Sequence, residues 1–170
     1  MPLERFSAAW REQYVSSATS GQGTPGVGHC VFCELADAEV SEDSGVLWRS
    51  ATTYVALNAF PYGSGHLLVL PVRHVAALED LAENEYQDLF LALRRVVVAL
   101  QGAYEPDGLN VGMNLGQAGG AGIPQHLHGH VLPRWHGDTN FMTTIGETRV
   151  LPESLQSTWQ KVRAQLEVRP

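Results

Sequence analysis

Histidine occupies every second position from 126 to 130, in the run Gln125-His126-Leu127-His128-Gly129-His130-Val131-Leu132-Pro133. That alternation has the period of a β-strand, in which residues i, i+2 and i+4 project from one face. The spacing therefore predicts a strand over 125–133 with three imidazoles side by side. A single histidine in a strand is ordinarily a satisfied polar neighbour. Three together are costly to desolvate unless each has a partner, and a Gly-rich stretch over 116–124 lies directly before them. Two chemistries use such a cluster. Neutral imidazoles bind metal ions; alternatively, one imidazole attacks phosphorus while its neighbours hold its tautomer and the phosphate oxygens. Gly116, Gly119, Gly120 and Gly122 would let backbone amides approach an anion closely.

The rest of the chain predicts an α+β protein. Its 170 residues, 44% hydrophobic and 17% charged, are enough for one globular domain spanning 1–170. Leu3, Phe6, Trp10 and Tyr14 predict a short amphipathic helix, and 15–29, rich in Ser, Thr and Gly, a flexible connector. Strands are expected near 45–49, 52–58 and 66–71, with a turn over 61–65 between the last two. Residues 81–104 predict the longest helix, its buried stripe formed by Tyr86, Phe90, Leu93, Val97, Leu100 and Tyr104. A strand over 108–115 follows. Pro152 opens a last helix over 152–166 that buries Leu155, Trp159, Val162 and Leu166. Strands cluster in the middle and helices stand apart.

Several function classes fall away. The net charge of −7 gives no support to a nucleic-acid polymer as partner. No apolar run has membrane-spanning length and no basic-then-apolar leader opens the chain, so a soluble, cytoplasmic protein with no membrane partner is expected. Gly21-Gln-Gly-Thr-Pro-Gly26 has dinucleotide-loop spacing, but Ser and Thr stand where a strand is needed and Pro25 lies inside. The only lysine, Lys161, is in the last helix, which removes a Walker-type phosphate loop. Ser64 reads as a turn residue rather than a nucleophile. Cys30 and Cys33, in a chain without an export leader, read as a metal or redox pair rather than a structural disulfide.

Taken together, these motifs resemble the histidine triad (HIT) family. The run from Gln125 to Arg134 resembles its H-x-H-x-H signature followed by two apolar residues. Trp10-Arg11 with Tyr14, Cys30-Val-Phe-Cys33, Ala56-Leu57-Asn58, Gly65-His66-Leu67-Leu68-Val69-Leu70-Pro71 and Gly108–Asn114 are similar to further family motifs, in the family's order. Pro133-Arg134-Trp135 with Gly137-Asp138-Thr139-Asn140-Phe141 resembles the bacterial dinucleoside-polyphosphate phosphorylase and hydrolase members. The resemblance implies a HIT core over 30–145: an antiparallel sheet of about five strands with one long central helix and helices at both ends, usually as a homodimer. It implies transfer of AMP from a substrate such as diadenosine tetraphosphate through a nucleotidyl-His128 intermediate, with phosphate or water as acceptor.

Carried over residue by residue, His128 is the nucleophile, His130 contacts phosphate, and His126 and His66 complete the catalytic set. Asn58, at a position where other members carry Asp, binds ribose. Asn114, Gln117, Gly120, Gly122 and Gln125 join His130 in nucleotide binding. The resemblance also implies one structural Zn2+ held by Cys30, Cys33, His74 and His126. A pair of free thiols, or His29 in place of His74, are the alternatives. Gly122-Ile123-Pro124-Gln125 departs from the family's usual Gly-Gln-Ser/Thr-Val, so the side chain that would touch phosphate there is missing. The competing functions are a nucleoside phosphoramidase using the same His128 chemistry and a catalytically silent nucleotide-binding module.

Overall fold

A computed structural model describes residues 30–139 and 152–168. The expected helix at 3–14 and connector at 15–29 lie outside the described residues. In chain order the elements are α1 (Val31–Asp37), β1 (Val46–Arg49), β2 (Thr53–Leu57), β3 (Leu67–Pro71), α2 (Glu83–Tyr104), β4 (Gly108–Met113), β5 (Gly129–Arg134) and α3 (Leu155–Val168). The strands form one antiparallel sheet in the order β1-β2-β3-β5-β4. The fold is α+β, as the sequence predicts.

Alternation along the strands sorts the two faces of the sheet. Val55, Leu67, Val69 and Val131 pack with Leu89, Ala92, Leu93, Val96, Ala99 and Leu100 of α2, and with Val162 and Leu166 of α3. Tyr54, Ala56, Leu68 and Leu70 point the other way and pack with Phe32 and Ala36 of α1. Burial of each large aliphatic side chain on these faces stabilises the fold by about 1.5–3 kcal/mol. His66 is in step with Leu68 and Leu70, and His130 pairs across the sheet with Leu68. Histidines and α1 thus share the face turned away from the long helix. Of the seven residues of α1, Phe32 and Ala36 are buried against that face.

Five sequence expectations change, one of them the burial of Leu155, which lies exposed at the first position of α3. The strand expected over 125–133 begins only at Gly129, because the Leu127 N–H donates to the Val75 carbonyl, beyond the end of β3. His126 and His128 therefore precede the strand. The strand expected to reach 115 ends at Met113. On α2 the buried stripe is Glu85, Leu89, Ala92, Leu93, Val96, Ala99 and Leu100. Tyr86 and Phe90 stay exposed and pack on each other, with ring centroids 4.6 Å apart. Two alanines at 92 and 99 let the helix axis approach the sheet, which rotates the bulkier aromatics outward. Finally, α3 starts after Ser154, whose Oγ accepts the Ser157 N–H at 3.1 Å, a side-chain N-cap that places the start three residues beyond Pro152. Trp159 then donates to the Val46 carbonyl at 3.0 Å and Arg163 to that of Leu47 at 2.8 Å, docking α3 on β1.

Gly65 closes the turn between β2 and β3. Its φ is +75°, and a Cβ there would lie 2.7 Å from Pro133 Cγ, so both conformation and space require glycine. No helix among the described residues is long and apolar enough to cross a membrane.

Candidate active site

A first cluster gathers the two cysteines and two of the histidines. Cys30 is the N-cap of α1 and Cys33 lies one turn on, so both sulfurs face the same way. His74 follows β3 on a segment fixed by its neighbour Arg73, whose guanidinium holds the Glu85 carboxylate at 2.7 and 2.8 Å and the Asp80 carbonyl at 2.8 Å. Hydrogen bonds from Arg73 and from the Ala82 N–H hold the Glu85 carboxyl down to about 2. Cys33 Sγ is 3.2 Å from His74 Nδ1, and His126 Nδ1 is 3.5 and 3.6 Å from the sulfurs of Cys30 and Cys33. All four donor atoms lie within 4.8 Å of one another.

This donor set fits a tetrahedral ion. With Zn–S of about 2.3 Å and Zn–N of about 2.0–2.1 Å, the S···N edge of a tetrahedron is roughly 3.6 Å, close to the spacings found. The tautomer agrees as well. His126 Nε2 sits 2.9 Å from the Pro71 carbonyl and must carry the proton, which turns the Nδ1 lone pair toward the sulfurs. Burial, followed by the hydrogen bond and charge of the neighbouring Cys30, pushes the Cys33 thiol up to about 11.

Among the described residues, His128, 6% exposed, is the most enclosed histidine after His126 and His66. Its Nδ1 is 2.8 Å from the His126 carbonyl, an acceptor, so the proton is on Nδ1 and the lone pair is on Nε2. Burial holds its pKa below the ordinary imidazole value, which keeps the ring neutral at neutral pH.

His66 and His130 are joined at 3.0 Å through Nε2 and Nδ1. The direction of that bond follows from the backbone. The Tyr62 N–H donates to His66 Nδ1 at 3.0 Å, so His66 carries its proton on Nε2 and donates to His130 Nδ1. His130 must then carry its own proton on Nε2. A neutral donor with a fixed tautomer is thereby placed next to the His128 ring, with centroids 5.1 Å apart. The Tyr62 ring stacks on His130 at 5.7 Å. Nothing in the residue types of the turn signals this fixing role of the Tyr62 amide, because backbone donors are invisible to motif spacing.

The remaining expected residues lie around these histidines to different degrees. Half-buried Asn58 directly follows β2; its Oδ1 accepts the Phe60 N–H at 3.0 Å and its Nδ2 is 3.4 Å from His66 Nδ1. Asn114 Nδ2 is 3.5 Å from the Gly120 carbonyl, at the long limit of a hydrogen bond. The 116–122 loop turns on Gly116 (φ +69°) and Gly120 (φ +92°). At Gly119 a Cβ would fall 2.3 Å from the Leu115 carbonyl oxygen, so the tight turn admits no side chain. Gln117 and Gln125 are exposed. Arg134 holds Asp138 at 2.6 and 2.7 Å and Asn110 at 2.8 Å, a structural clamp at the end of β5 rather than an open phosphate ligand.

Histidines on one face of an antiparallel α+β sheet, beside a Cys/His cluster, define a fold seen in solved proteins. The chain superposes on a zinc-bound histidine triad family protein from Mycobacterium smegmatis with a TM-score of 0.66, at 25% identity over 84% of this chain and 96% of the other. The HIT domain family profile matches residues 40–137. The chain belongs to the HIT family. It is similar to the AP-4-A phosphorylase of Mycobacterium tuberculosis, 35% identical over 161 residues that cover 92% of this chain and 80% of the relative. It is also similar to the asymmetrical bis(5'-nucleosyl)-tetraphosphatase of Schizosaccharomyces pombe, 34% identical over 95 residues, 56% of this chain and 52% of that one.

Proposed function

We propose that this chain transfers AMP from dinucleoside polyphosphates such as diadenosine tetraphosphate, with inorganic phosphate as the acceptor. The observation that carries the reading is the hydrogen bond from His128 Nδ1 to the His126 carbonyl at 2.8 Å, which leaves Nε2 as a lone pair on a buried neutral ring. Nε2 attacks the α-phosphorus, an N–P bond forms, and the P–O bond to the rest of the polyphosphate breaks. The departing polyphosphate leaves with the bonding electrons. His130, donating from Nε2, neutralises charge on a phosphate oxygen, aided by amides of the 116–122 loop. Phosphate oxygen then attacks the same phosphorus, the N–P bond breaks, and ADP departs. His66 acts by fixing the tautomer of His130. Asn58 binds the ribose hydroxyls, and Asn114, Gln117 and Gln125 line the path of the polyphosphate.

Cys30, Cys33, His74 and His126 hold one structural Zn2+ in this reading, supported by the donor spacing and by the zinc-bound relative. Both ring nitrogens of His126 are then engaged, which removes it from acid–base work. A homodimer forms through the open β4 edge, where Val111 is half exposed.

The acceptor is read from products. Incubation with diadenosine tetraphosphate should give ADP and ATP only when phosphate is present. AMP and ATP formed without phosphate would make water the acceptor, as the name of the yeast relative suggests for that protein. No turnover in either mixture would overturn the dinucleotide reading and make adenosine phosphoramidate the next substrate.

A further inference from the structure

One aromatic side chain bridges the Cys/His cluster and the nucleophile. Phe32, between Cys30 and Cys33 on α1, is buried; its ring meets His126 edge-on at 5.6 Å and His128 at 5.1 Å with an interplanar angle of 56°. Its carbonyl is held in turn by the hydroxyl of the fully buried Tyr54 at 2.6 Å. Among the described residues, the hydrogen bond of His128 Nδ1 to the His126 carbonyl sets the tautomer, and a bond at one ring atom does not by itself fix the plane of the ring. Two rings flank the imidazole: Phe32 with centroids 5.1 Å apart at 56°, and His130 with centroids 5.1 Å apart at 72°.

We propose that Phe32 is a positioning residue for the nucleophile, whose ring holds the His128 imidazole in the orientation that aims Nε2 at the α-phosphorus. This rests on His128 being the nucleophile. Because α1 and its N-cap carry two of the four cluster residues, Cys33 and Cys30, the same ring ties the orientation of His128 to the integrity of the cluster. Aliphatic bulk at 32 would fill the core without supplying a flat wall, so the effect of losing the ring is separable from that of losing volume.

The test compares Phe32→Leu and Phe32→Met with the parent in steady-state and single-turnover cleavage of diadenosine tetraphosphate, with thermal unfolding recorded for each. Methionine fills irregular gaps and guards against a leucine variant that fails to fold. The expected result is a kcat and single-turnover rate lower by roughly 10- to 100-fold, with KM nearly unchanged, at a temperature where each variant is fully folded. An unchanged kcat overturns the proposal. So does a rise in KM alone, which would make the ring a substrate contact, and so does a rate loss that simply follows the folded fraction. His128→Gly, run alongside, separates the two levels. If it still turns over, the nucleophile reading fails and this inference with it. If it is inactive while Phe32→Leu is as fast as the parent, only the role of Phe32 is lost.

Discussion

His128→Gly should lower turnover of diadenosine tetraphosphate by about 10,000-fold or more while leaving nucleotide affinity within a few-fold of the parent. The asymmetry follows from geometry. His128 has its proton committed to the His126 carbonyl and presents only a lone pair, so it has little to offer a bound phosphate beyond attack. In the proposed reading affinity comes from elsewhere: Asn58, His130 and the loop amides. Steady-state rates and calorimetric titration with a non-hydrolysable dinucleotide measure the two quantities separately. The glycine also leaves an imidazole-sized hole, and added imidazole should restore part of the rate. Parallel losses of affinity and rate would make His128 a binding residue, the behaviour of a nucleotide-binding module.

Loss of the proposed zinc ion should act chiefly on stability. At free zinc near 1,000 times Kd the ion stabilises the folded state by about 4 kcal/mol, which for a chain of this size corresponds to a Tm change of roughly 10 °C. Cys33→Ser, or chelation of the parent, should produce a loss of that order. The protein should nevertheless stay folded without the ion, because the main core of Leu47, Val55, Leu67, Val69, Leu89, Val96, Leu100 and Val131 forms on the other face of the sheet without any cluster residue. A small zinc finger has no such core and unfolds on chelation. Differential scanning calorimetry together with metal analysis gives the check. Metal-free purified protein with an unchanged Tm after chelation would refute the zinc site.

How much of this was legible in the sequence differs by element. Short apolar runs of strand length place β1 to β3 to within about a residue, because β2 and β3 are buried along nearly their whole length and their sequences are almost continuously apolar. The resemblance joined Cys30, Cys33, His74 and His126, residues 96 positions apart at the extremes, whose donor atoms the fold does bring together. Spacing alone leaves a metal site and a redox pair open for the two cysteines. The helix α1 was not foreseen, since seven residues are too few to show a 3.6-residue period. On α2 two apolar stripes compete, and the choice depends on how closely alanines let the helix approach, a tertiary effect. The start of β5 at Gly129 depends on a Leu127–Val75 backbone bond between distant segments. The tautomers of His66 and His130 depend on the Tyr62 amide, and no residue pattern records that.

The central claim is a covalent intermediate on His128, and rapid-quench trapping tests it most directly. Protein mixed with diadenosine tetraphosphate labelled at the α-phosphorus and quenched in alkali, where an N–P bond to histidine survives, should carry label within a single turnover. Peptide mapping should place that label on His128, and acid should release it as AMP. Turnover with no label on the protein at any quench time, or label on another residue, would contradict the account.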